Sequence, residues 1–478
     1  MSRSKTLLRD AAALLLLWAL VLAFTWRIAL AGRVLASGDI FTYFYPYWAE
    51  ATRAIRAGRL PLWNPFLFMG APFLANSQVG FFYPLNWPLW LLLPAHRAVH
   101  LTVVVHLCLA ALNAYLWGRR SLRLRCLAAW TAAAIFALGG YLGAQVEHVN
   151  QLQGLAWLPL TLMLHDQASR PRSSVSRRAA SLLGLGVVIA LILLAGHTQT
   201  AFIVLVGLGV YGLGLPLWRG LRGSEWRSLF RGSVLLGGAA LLGVALAAVQ
   251  LVPTWELSRL SVRAGGLPFN ERVSFSLSPA YLGRALLPGF MRPVPPDHIE
   301  HVAYVGVLGL ALSLMRVVAD LRPHRKGLAT DAALHGSRRT RGRSNAPVYL
   351  ITFMGLFFAL GLYNPLYLLL ARVVPGFAHF RVPARWLALY ALGVAGLAGH
   401  GVQDLWGRRH VGSRGVLIVA GMLAVLVVWC LLGSSLSEGE SLGPLSVLAW
   451  TGAALMASGA FLAAARAPRP MILIMAAL

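Results

Sequence analysis

Short polar clusters interrupt the apolar sequence, and the first of them carries Asp39. A carboxylate can serve as a general base towards a hydroxyl group, or as a ligand in a cleft. An interfacial charge or a helix cap is the alternative interpretation of Asp39. The second cluster contains six polar residues within positions 145–153, between two apolar segments. Such groups must find water or one another. Glu147 and His148 are therefore candidate contacts for a substrate or a cation, and a short solvated loop is the alternative.

Later clusters combine histidine, glutamine and arginine. His197 and Gln199 form one of them, and Arg381 and Arg385 lie in another. Guanidinium groups bind phosphate oxygens through two parallel hydrogen bonds, so Arg381 and Arg385 are candidate phosphate ligands. The alternative is that they extend to lipid headgroups. Glu300 belongs to a further acidic and histidine-containing segment that precedes an apolar run.

The composition restricts the class of protein. Hydrophobic residues make up 58% of the 478 residues, charged residues 12%, and the formal net charge is +27. Soluble domains have about 25% charged residues. A basic soluble protein would suggest nucleic acid, but here the cations lie in short loops between apolar segments, where they set topology and meet anionic lipids. The three cysteines form no CxxC pair, so neither disulfides nor a metal site is expected.

Apolar segments of bilayer length predict an all-α fold, a polytopic transmembrane helical bundle of about 11–13 spans. The spans are predicted near 10–31, 98–117, 126–143, 152–165, 179–196, 200–217, 233–252, 302–318, 347–362, 384–402, 416–433 and 444–464. With the N-terminus in the cytoplasm and the first span uncleaved, 28 of the 42 lysines and arginines fall on the inner side. This two-to-one bias agrees with the positive-inside rule. The polar clusters then all face outwards.

The connections divide a single transmembrane domain, 1–478, into recognisable regions. A long first outer loop is predicted at 32–97, with an interfacial helix over 40–58. A second large outer loop spans 253–301, a flexible basic cytoplasmic loop spans 319–346, and 363–383 is predicted as a broken outer segment. The sequence has no G-x-x-x-x-G-K-[ST] motif, which argues against ATP-driven work within this chain.

Short motifs spread over about residues 38 to 401 carry a family resemblance. They are GDIFTYFYPY (38–47), GRLPLWNP (58–65), FMGAP (68–72), NSQ (76–78), YP (83–84), WLP (157–159), GHTQ (196–199), Glu300, YVG (304–306), PGF (375–377) and FRVPAR (380–385). In their order and number they resemble the bacterial YfhO-type membrane protein family. That family is similar to GT-C-type glycosyltransferases, which use polyprenyl-phosphate sugars on the outer face of the membrane.

The resemblance implies a mechanism. Asp39 would deprotonate or orient an acceptor hydroxyl, and Arg381 and Arg385 would stabilise the departing lipid phosphate. Glu147 and His148 would position the sugar, the acceptor or a cation. The other implied substrate-binding residues are Tyr43, Asn64, Gln78, His197, Gln199 and Glu300. Many GT-C enzymes carry paired acidic residues in this loop, whereas Asp39 stands alone until Glu50. No cofactor is therefore expected, although Mg²⁺ or Mn²⁺ stays an open alternative.

Three functions remain in competition. The first is a glycosyltransferase of the bacterial plasma membrane, with its active face on the periplasmic side and a glycan, lipid or protein as acceptor. The second is a transporter or flippase of a lipid-linked glycan, which would place ionisable groups near the bilayer midplane. The third is a non-catalytic cell-envelope assembly protein. Because the candidate residues gather at one outer rim, the sequence favours the glycosyltransferase, with membrane lipids and a polyprenyl-phosphate sugar as partners and no nucleic acid.

Overall fold

Helices make up most of the chain, because only a helix satisfies its own backbone hydrogen bonds inside a bilayer. The computed structural model describes residues 3–36, 38–67, 69–170, 173–222, 226–262, 264–287, 296–321, 345–374, 376–406, 412–435 and 444–464. The helices of seven or more residues in the first half are α1 (Arg3–Phe24), α2 (Tyr45–Arg56), α3 (Asn86–Leu92), α4 (Ala95–Arg120), α5 (Cys126–Leu138), α6 (Val149–Leu155), α7 (Leu158–Ala168), α8 (Val175–Leu194) and α9 (Thr198–Leu221). Those in the second half are α10 (Trp226–Leu246), α11 (Ala248–Arg259), α12 (Val307–Leu321), α13 (Ala346–Ala359), α14 (Pro365–Val373), α15 (Leu387–Trp406), α16 (Gly412–Ser435) and α17 (Pro444–Ala464).

Seven helical segments of the described residues are long and apolar enough to cross a membrane. They are Ser4–Phe24, Ala95–Arg120, Cys126–Glu147, Val175–Leu194, Thr198–Leu221, Trp226–Leu246 and Arg414–Leu432. The chain is thus an all-α, multi-pass membrane protein, which confirms the predicted fold class. The predicted span 444–464 coincides with α17, which has 21 residues, and the other predicted spans coincide with helices that are shorter or more polar. A count of about twelve crossings therefore stays a prediction.

Two predicted spans differ in detail from the helices observed. The segment 152–165 is divided between α6, which ends at Leu155, and α7, whose first turn contains Pro159. Proline lacks an N–H group, so it fits the first turn of a new helix better than the interior of a continuous one. The segment 302–318 becomes helical only at Val307, because Gly306 has a φ of +75° that a right-handed helix cannot accommodate.

The segment 32–97, predicted from the sequence as the first outer loop and called by that name below, consists of short elements. A π-helical turn, Ile40–Phe44, leads directly into α2, and the two-residue strands β1 (Trp63–Asn64) and β2 (Ala71–Pro72) pair antiparallel with Trp63 opposite Pro72. The predicted position of 40–58 in the membrane interface stays a prediction. Of the two other predicted loops, residues 288–295 of 253–301 and residues 322–344 of 319–346 lie outside the described residues.

Helix α15 forms the centre of the bundle, and all its residues from Leu387 to Val402 are buried. Its glycines allow neighbouring helices to approach closely, as in many membrane bundles. A Cβ at Gly393 would overlap the Thr352 side chain of α13, and one at Gly401 would overlap the backbone of Leu312 in α12. Alanine at these positions would therefore push α12 and α13 away from α15.

An ionic network fixes one end of α15. Arg316 of α12 donates from Nη1 to Asp404 at 2.9 Å, and from Nε and Nη2 to Asp320 at 3.0 and 2.5 Å. The hydroxyl of Tyr349 in α13 donates to Asp320 at 2.8 Å. These contacts tie α12, α13 and α15 together at the end of the bundle where α15 terminates. The other end of α15 carries a second, more enclosed ion pair.

Candidate active site

The centre of the candidate site is a buried ion pair between Glu300 and Arg385. Glu300 lies in the 3-10 helix Pro296–His301, and Arg385 lies in the turn Pro383–Trp386 that leads into α15. Nη2 of Arg385 is 2.5 Å from Oε1 of Glu300, and Nε donates to the two carboxylate oxygens at 3.0 and 3.2 Å. Only 10% of the Arg385 side chain and 8% of the Glu300 side chain are exposed. Removal of either charge would leave the other buried without a counter-charge, which is strongly destabilising.

The remaining guanidinium nitrogen of Arg385 contacts the cluster that precedes α9. Nη1 donates to Oε1 of Gln199 at 2.9 Å and lies 3.1 Å from Nε2 of His197. Nδ1 of His197 accepts a hydrogen bond from the backbone N–H of Thr200 at 3.1 Å and lies 2.7 Å from the Thr200 hydroxyl. Because a guanidinium group is positively charged and can only donate hydrogen bonds, Arg385 disfavours a protonated imidazolium at His197.

His148 stands between Glu300 and Asp39. Its Nε2 is 3.8 Å from Oε1 of Glu300 and 3.7 Å from Oδ2 of Asp39. Its Nδ1 lies 3.0 Å from Oε1 of Gln145, whose amide donates to Glu300 at 3.5 Å. The structure therefore brings together residues from four distant segments in the order Asp39, His148, Glu300 and Arg385, with charges of alternating sign when His148 is protonated.

Asp39 is the exposed end of this row, with 59% of its side chain accessible to solvent. It follows Gly38, which has a φ of +50° and lies so close to Glu147 that a Cβ would overlap the carboxylate. Glycine is the residue that permits both the conformation and the approach. Close contact at Gly38 thus packs the first outer loop against the polar cluster at 145–153. Asp39 remains accessible to a substrate from solution.

A cavity of about 130 Å³ opens beside Arg385. It is lined by Ser77, Gln78, Gly196, His197, Thr198, Gln199, His379, Phe380, Arg381 and Arg385. Arg381 is exposed, and within the described part of the chain its guanidinium group has no hydrogen-bonding partner. Its carbonyl group accepts a hydrogen bond from Gln199, and the next residue, Val382, has a φ of +61°, which is rare for a β-branched residue. This strained turn presents Arg381 to the cavity, which suits an anion such as phosphate.

The first outer loop supplies the opposite wall of the cavity. Ser77 donates from Oγ to the carbonyl of Gly196 at 3.1 Å. Gly196 has a φ of +91°, and a Cβ there would overlap the carbonyl group of Ser77. Gln78 is exposed at the cavity, and its carbonyl accepts a hydrogen bond from Asn150 at 3.4 Å. The Ser77–Gly196 contact therefore fixes the distance between the loop and the start of α9.

Two predicted substrate-binding residues have local partners instead. Asn64 is buried in β1, where its Oδ1 accepts a hydrogen bond from the backbone N–H of Phe66 at 3.0 Å. Tyr43 accepts a hydrogen bond from Asn76 at 2.9 Å, and its ring stacks on Tyr47 with centroids 4.1 Å apart. These contacts shape the first outer loop, and a role for either side chain in binding substrate stays a prediction.

Three further residues of the site were not among the predicted contacts. Tyr141 donates to the carbonyl of Arg385 at 3.0 Å, Gln145 joins His148 to Glu300, and His379 lies at the rim of the cavity. Gln145 and His379 each belong to a polar cluster, which was the available signal. Tyr141 lies within a predicted span, and nothing in its surroundings in the sequence distinguishes it from an ordinary buried tyrosine.

The donor groups of this site do not fit the divalent cation that the sequence left open. Within the described residues, no three histidine, cysteine, aspartate or glutamate side chains gather as a metal-binding set. Both oxygens of Glu300 already accept hydrogen bonds from Arg385. A cation at Glu300 would have to displace or face the guanidinium charge.

Burial and charge shift the titration of the central groups. Burial would raise the pKa of Glu300, but the adjacent Arg385 and the hydrogen bonds from it hold that pKa below the ordinary 4.5. Burial, together with the charge of Arg385, lowers the pKa of His197 well below 6.5. Burial also lowers the pKa of His148, against the opposing charge of Glu300. At neutral pH the site therefore holds ionised Glu300 and Arg385 beside two neutral imidazoles.

The lowered pKa of His197 predicts loss of stability in mild acid. An unfolded His197 would bind a proton below its ordinary pKa of 6.5, whereas the folded side chain stays neutral until a lower pH. Stability should therefore fall as pH drops from 6.5, by up to about 1.4 kcal/mol per pH unit for one such group. Thermal unfolding in lipid nanodiscs between pH 7 and 5 would measure the slope. A His197→Asn variant should have a shallower slope, with His148 still contributing, and parallel slopes for the two proteins would contradict the assignment.

No model of a known protein family matches this sequence, and no curated protein matches it. Among solved structures, the chain is similar to ArnT from Cupriavidus metallidurans in the apo state, with 15% sequence identity and a TM-score of 0.48 over 98% of this chain and 75% of that one. It is similar to the same protein bound to undecaprenyl phosphate, with 13% identity and a TM-score of 0.46 over 100% of this chain and 75% of that one.

A third similarity is to the archaeal oligosaccharyltransferase AglB from Archaeoglobus fulgidus in complex with an inhibitory peptide and a dolichol-phosphate. The identity is 15% and the TM-score 0.41, over 98% of this chain and 55% of that one. These similarities concern the overall fold at low sequence identity, so no role is transferred from residues of those proteins to residues of this one. The resemblance to the YfhO-type family stays a prediction from the sequence motifs.

Proposed function

We propose that this protein is a membrane-embedded glycosyltransferase that moves a sugar from a polyprenyl-phosphate donor to an acceptor on the outer face of the membrane. One observation carries the proposal. An exposed carboxylate, Asp39, and a cavity that presents the guanidinium group of Arg381 belong to the same end of the helical bundle. His148 and the Glu300–Arg385 pair connect them. A sugar transfer from a phosphate needs both a base and an anion-stabilising group.

The proposed reaction is a displacement at the anomeric carbon of the sugar. The acceptor hydroxyl oxygen forms the new bond while its proton passes to the carboxylate of Asp39. The bond between the anomeric carbon and the phosphate oxygen breaks, and the lipid phosphate leaves with the bonding electrons. Arg381 stabilises the negative charge that develops on this phosphate. The high exposure of Asp39 leaves room for the acceptor beside it.

The sequence predicted that Arg385 binds phosphate, whereas we propose a different role for it. Its guanidinium nitrogens are engaged by Glu300, His197 and Gln199, so it has little capacity to grip a phosphate through two hydrogen bonds. It acts instead as a positioning residue. By binding Gln199, which in turn donates to the carbonyl of Arg381, it fixes the turn that carries the phosphate-binding side chain.

The test is reconstitution of the full-length protein into liposomes that contain radiolabelled undecaprenyl-phosphate sugars and candidate acceptors on the outer side. We expect the label to leave the lipid fraction and appear on an acceptor. An intact labelled lipid that changes leaflet would instead establish the transporter function. A lipid that neither reacts nor changes leaflet with any sugar and acceptor supplied would favour a non-catalytic assembly role.

A further inference from the structure

A second cavity lies at the opposite end of the bundle from the candidate site. It has a volume of about 330 Å³, and its lining includes three arginines, Arg9, Arg119 and Arg125, and one carboxylate, Asp10. Asp10 lies near the start of α1 and Arg119 near the end of α4. The other end of α4 contacts the first outer loop, since Nε2 of His100 lies 2.8 Å from the Tyr45 hydroxyl and 3.1 Å from the backbone nitrogen of Leu35. We call this cavity the basic cleft.

Helix α15 confirms that the two cavities are at opposite ends. The candidate site uses Arg385, two residues before the first residue of α15, whereas the basic cleft is lined by Val402, Gln403 and Trp406 at its end. A helix of 20 residues is about 30 Å long, which is also the thickness of a bilayer hydrocarbon core. The basic cleft therefore lies at the level of the headgroups of the second leaflet.

The charge of the cleft is positive because one carboxylate faces three guanidinium groups. Arg119 is held by Asp10, with Nε 2.9 Å from Oδ1 and Nη2 3.2 Å from Oδ2. Asp10 also accepts a hydrogen bond from the hydroxyl of Tyr115 at 2.6 Å. Asp10 thus orients Arg119 and balances its charge, which leaves the charge of Arg125 in excess along the lining.

Arg125 is placed at the cleft by one contact of its backbone and one of its side chain. Its N–H donates to Oε1 of Gln403 at 2.7 Å, and its guanidinium group lies 5.5 Å from the centre of the Trp406 ring, in a cation–π position. The side chain of Arg125 is not engaged by any carboxylate in the described residues. A guanidinium group held in this way keeps its hydrogen-bond donors available for an anion.

We infer that the basic cleft binds the phosphate group of an anionic phospholipid. The guanidinium groups match a phosphate in charge and geometry. Apolar residues that also line the cleft, Leu127, Ala128 and Val402, match the first methylene groups of an acyl chain better than they match water. Basic pockets between transmembrane helices bind anionic lipid headgroups in just this manner. The site is distinct from the proposed catalytic site and does not depend on the proposed function.

Native mass spectrometry of the full-length protein, released from nanodiscs that contain either phosphatidylglycerol or phosphatidylcholine, tests this inference. We expect one phosphatidylglycerol to be retained and phosphatidylcholine to be lost. An Arg125→Gln variant should bind phosphatidylglycerol about fivefold more weakly, the effect typical of one arginine near a membrane surface. Arg120→Gln is the matched control, because Arg120 is an exposed arginine at the same end of α4 that does not line the cleft.

Three results would overturn the inference. Equal loss of the lipid in the Arg120→Gln and Arg125→Gln variants would show that general surface charge retains it. Equal retention of phosphatidylcholine would exclude recognition of anionic headgroups. Competition by glycerol phosphate at concentrations similar to those of the lipid would show a site for a soluble phosphate. The melting temperature of each variant, measured in phosphatidylcholine alone, separates weakened binding from misfolding.

Discussion

Replacement of Asp39 by asparagine should reduce sugar transfer by about 10²- to 10⁴-fold, the usual contribution of a general base. The amide keeps the size of the side chain but cannot accept the proton of the acceptor hydroxyl. Because 59% of the Asp39 side chain is exposed, its replacement should change the melting temperature little. The initial rate of label transfer in reconstituted liposomes, together with thermal unfolding of the same preparation, measures both effects.

Glu271→Gln provides the control for this prediction. Glu271 is another exposed carboxylate of the predicted outer regions; it lies in the short helix Phe269–Arg272 and does not line the cavity beside Arg385. Its variant should transfer sugar at the wild-type rate. If Asp39→Asn transferred sugar as fast as Glu271→Gln, the base would have to be another group, and the role proposed for the row from Asp39 to Arg385 would be wrong.

The second large effect concerns the ion pair at the centre of the site. Glu300→Gln leaves the Arg385 guanidinium group buried without its counter-charge, which typically costs about 3–5 kcal/mol. Arg385→Gln likewise leaves the Glu300 carboxylate buried without its counter-charge. The double variant removes both charges, so we expect it to be more stable than the sum of the single changes predicts. Denaturation of the three variants in nanodiscs gives the coupling energy directly.

A second ion pair, with one exposed partner, is the comparison. Arg59 pairs with Glu50 at 2.7 Å; Glu50 is buried, but 46% of the Arg59 side chain is exposed, and Arg53 also pairs with Glu50. Because Arg53 still neutralises Glu50 when Arg59 is replaced, Arg59→Gln should cost only about 0–1 kcal/mol. Similar losses for Arg59→Gln and Arg385→Gln would mean that burial does not distinguish the two pairs, and that the Glu300–Arg385 pair is no more than a surface contact.

The helices could be predicted from the sequence more completely than the site. Apolar runs of bilayer length identify α4 and α9 to within four residues at each end, because hydrophobicity and length alone decide a membrane helix. The first span was predicted at 10–31, whereas α1 is Arg3–Phe24, seven residues earlier at each end. The break before Pro159 was missed, since α6 and α7 together have the length of one apolar span. Such a break depends on packing against neighbouring helices, which a single sequence does not display.

The members of the site were found, but their pairing was not. Glu300 and Arg385 were each candidate residues, yet they are 85 positions apart, and nothing in either segment indicates that one neutralises the other. Arg385 was accordingly predicted to bind phosphate, whereas its partners engage its guanidinium group. Arg381, only four positions earlier, lies at the open side of the same turn. Tertiary packing thus gives the two arginines different surroundings, which their sequence context does not reveal.

The central position of α15 has a mechanical consequence. An arginine–carboxylate pair fixes each of its ends, through Arg385 and Glu300 at one end and through Asp404 and Arg316 at the other. Between them, glycines such as Gly401 let neighbouring helices pack so closely that displacement along the axis would produce steric clashes. The helix should therefore move as a rigid body with α12 and α13. Conformational changes that admit a long lipid or release a product would then occur in the first outer loop, whose Ser77 contacts Gly196 at the start of α9 and not the rigid core itself.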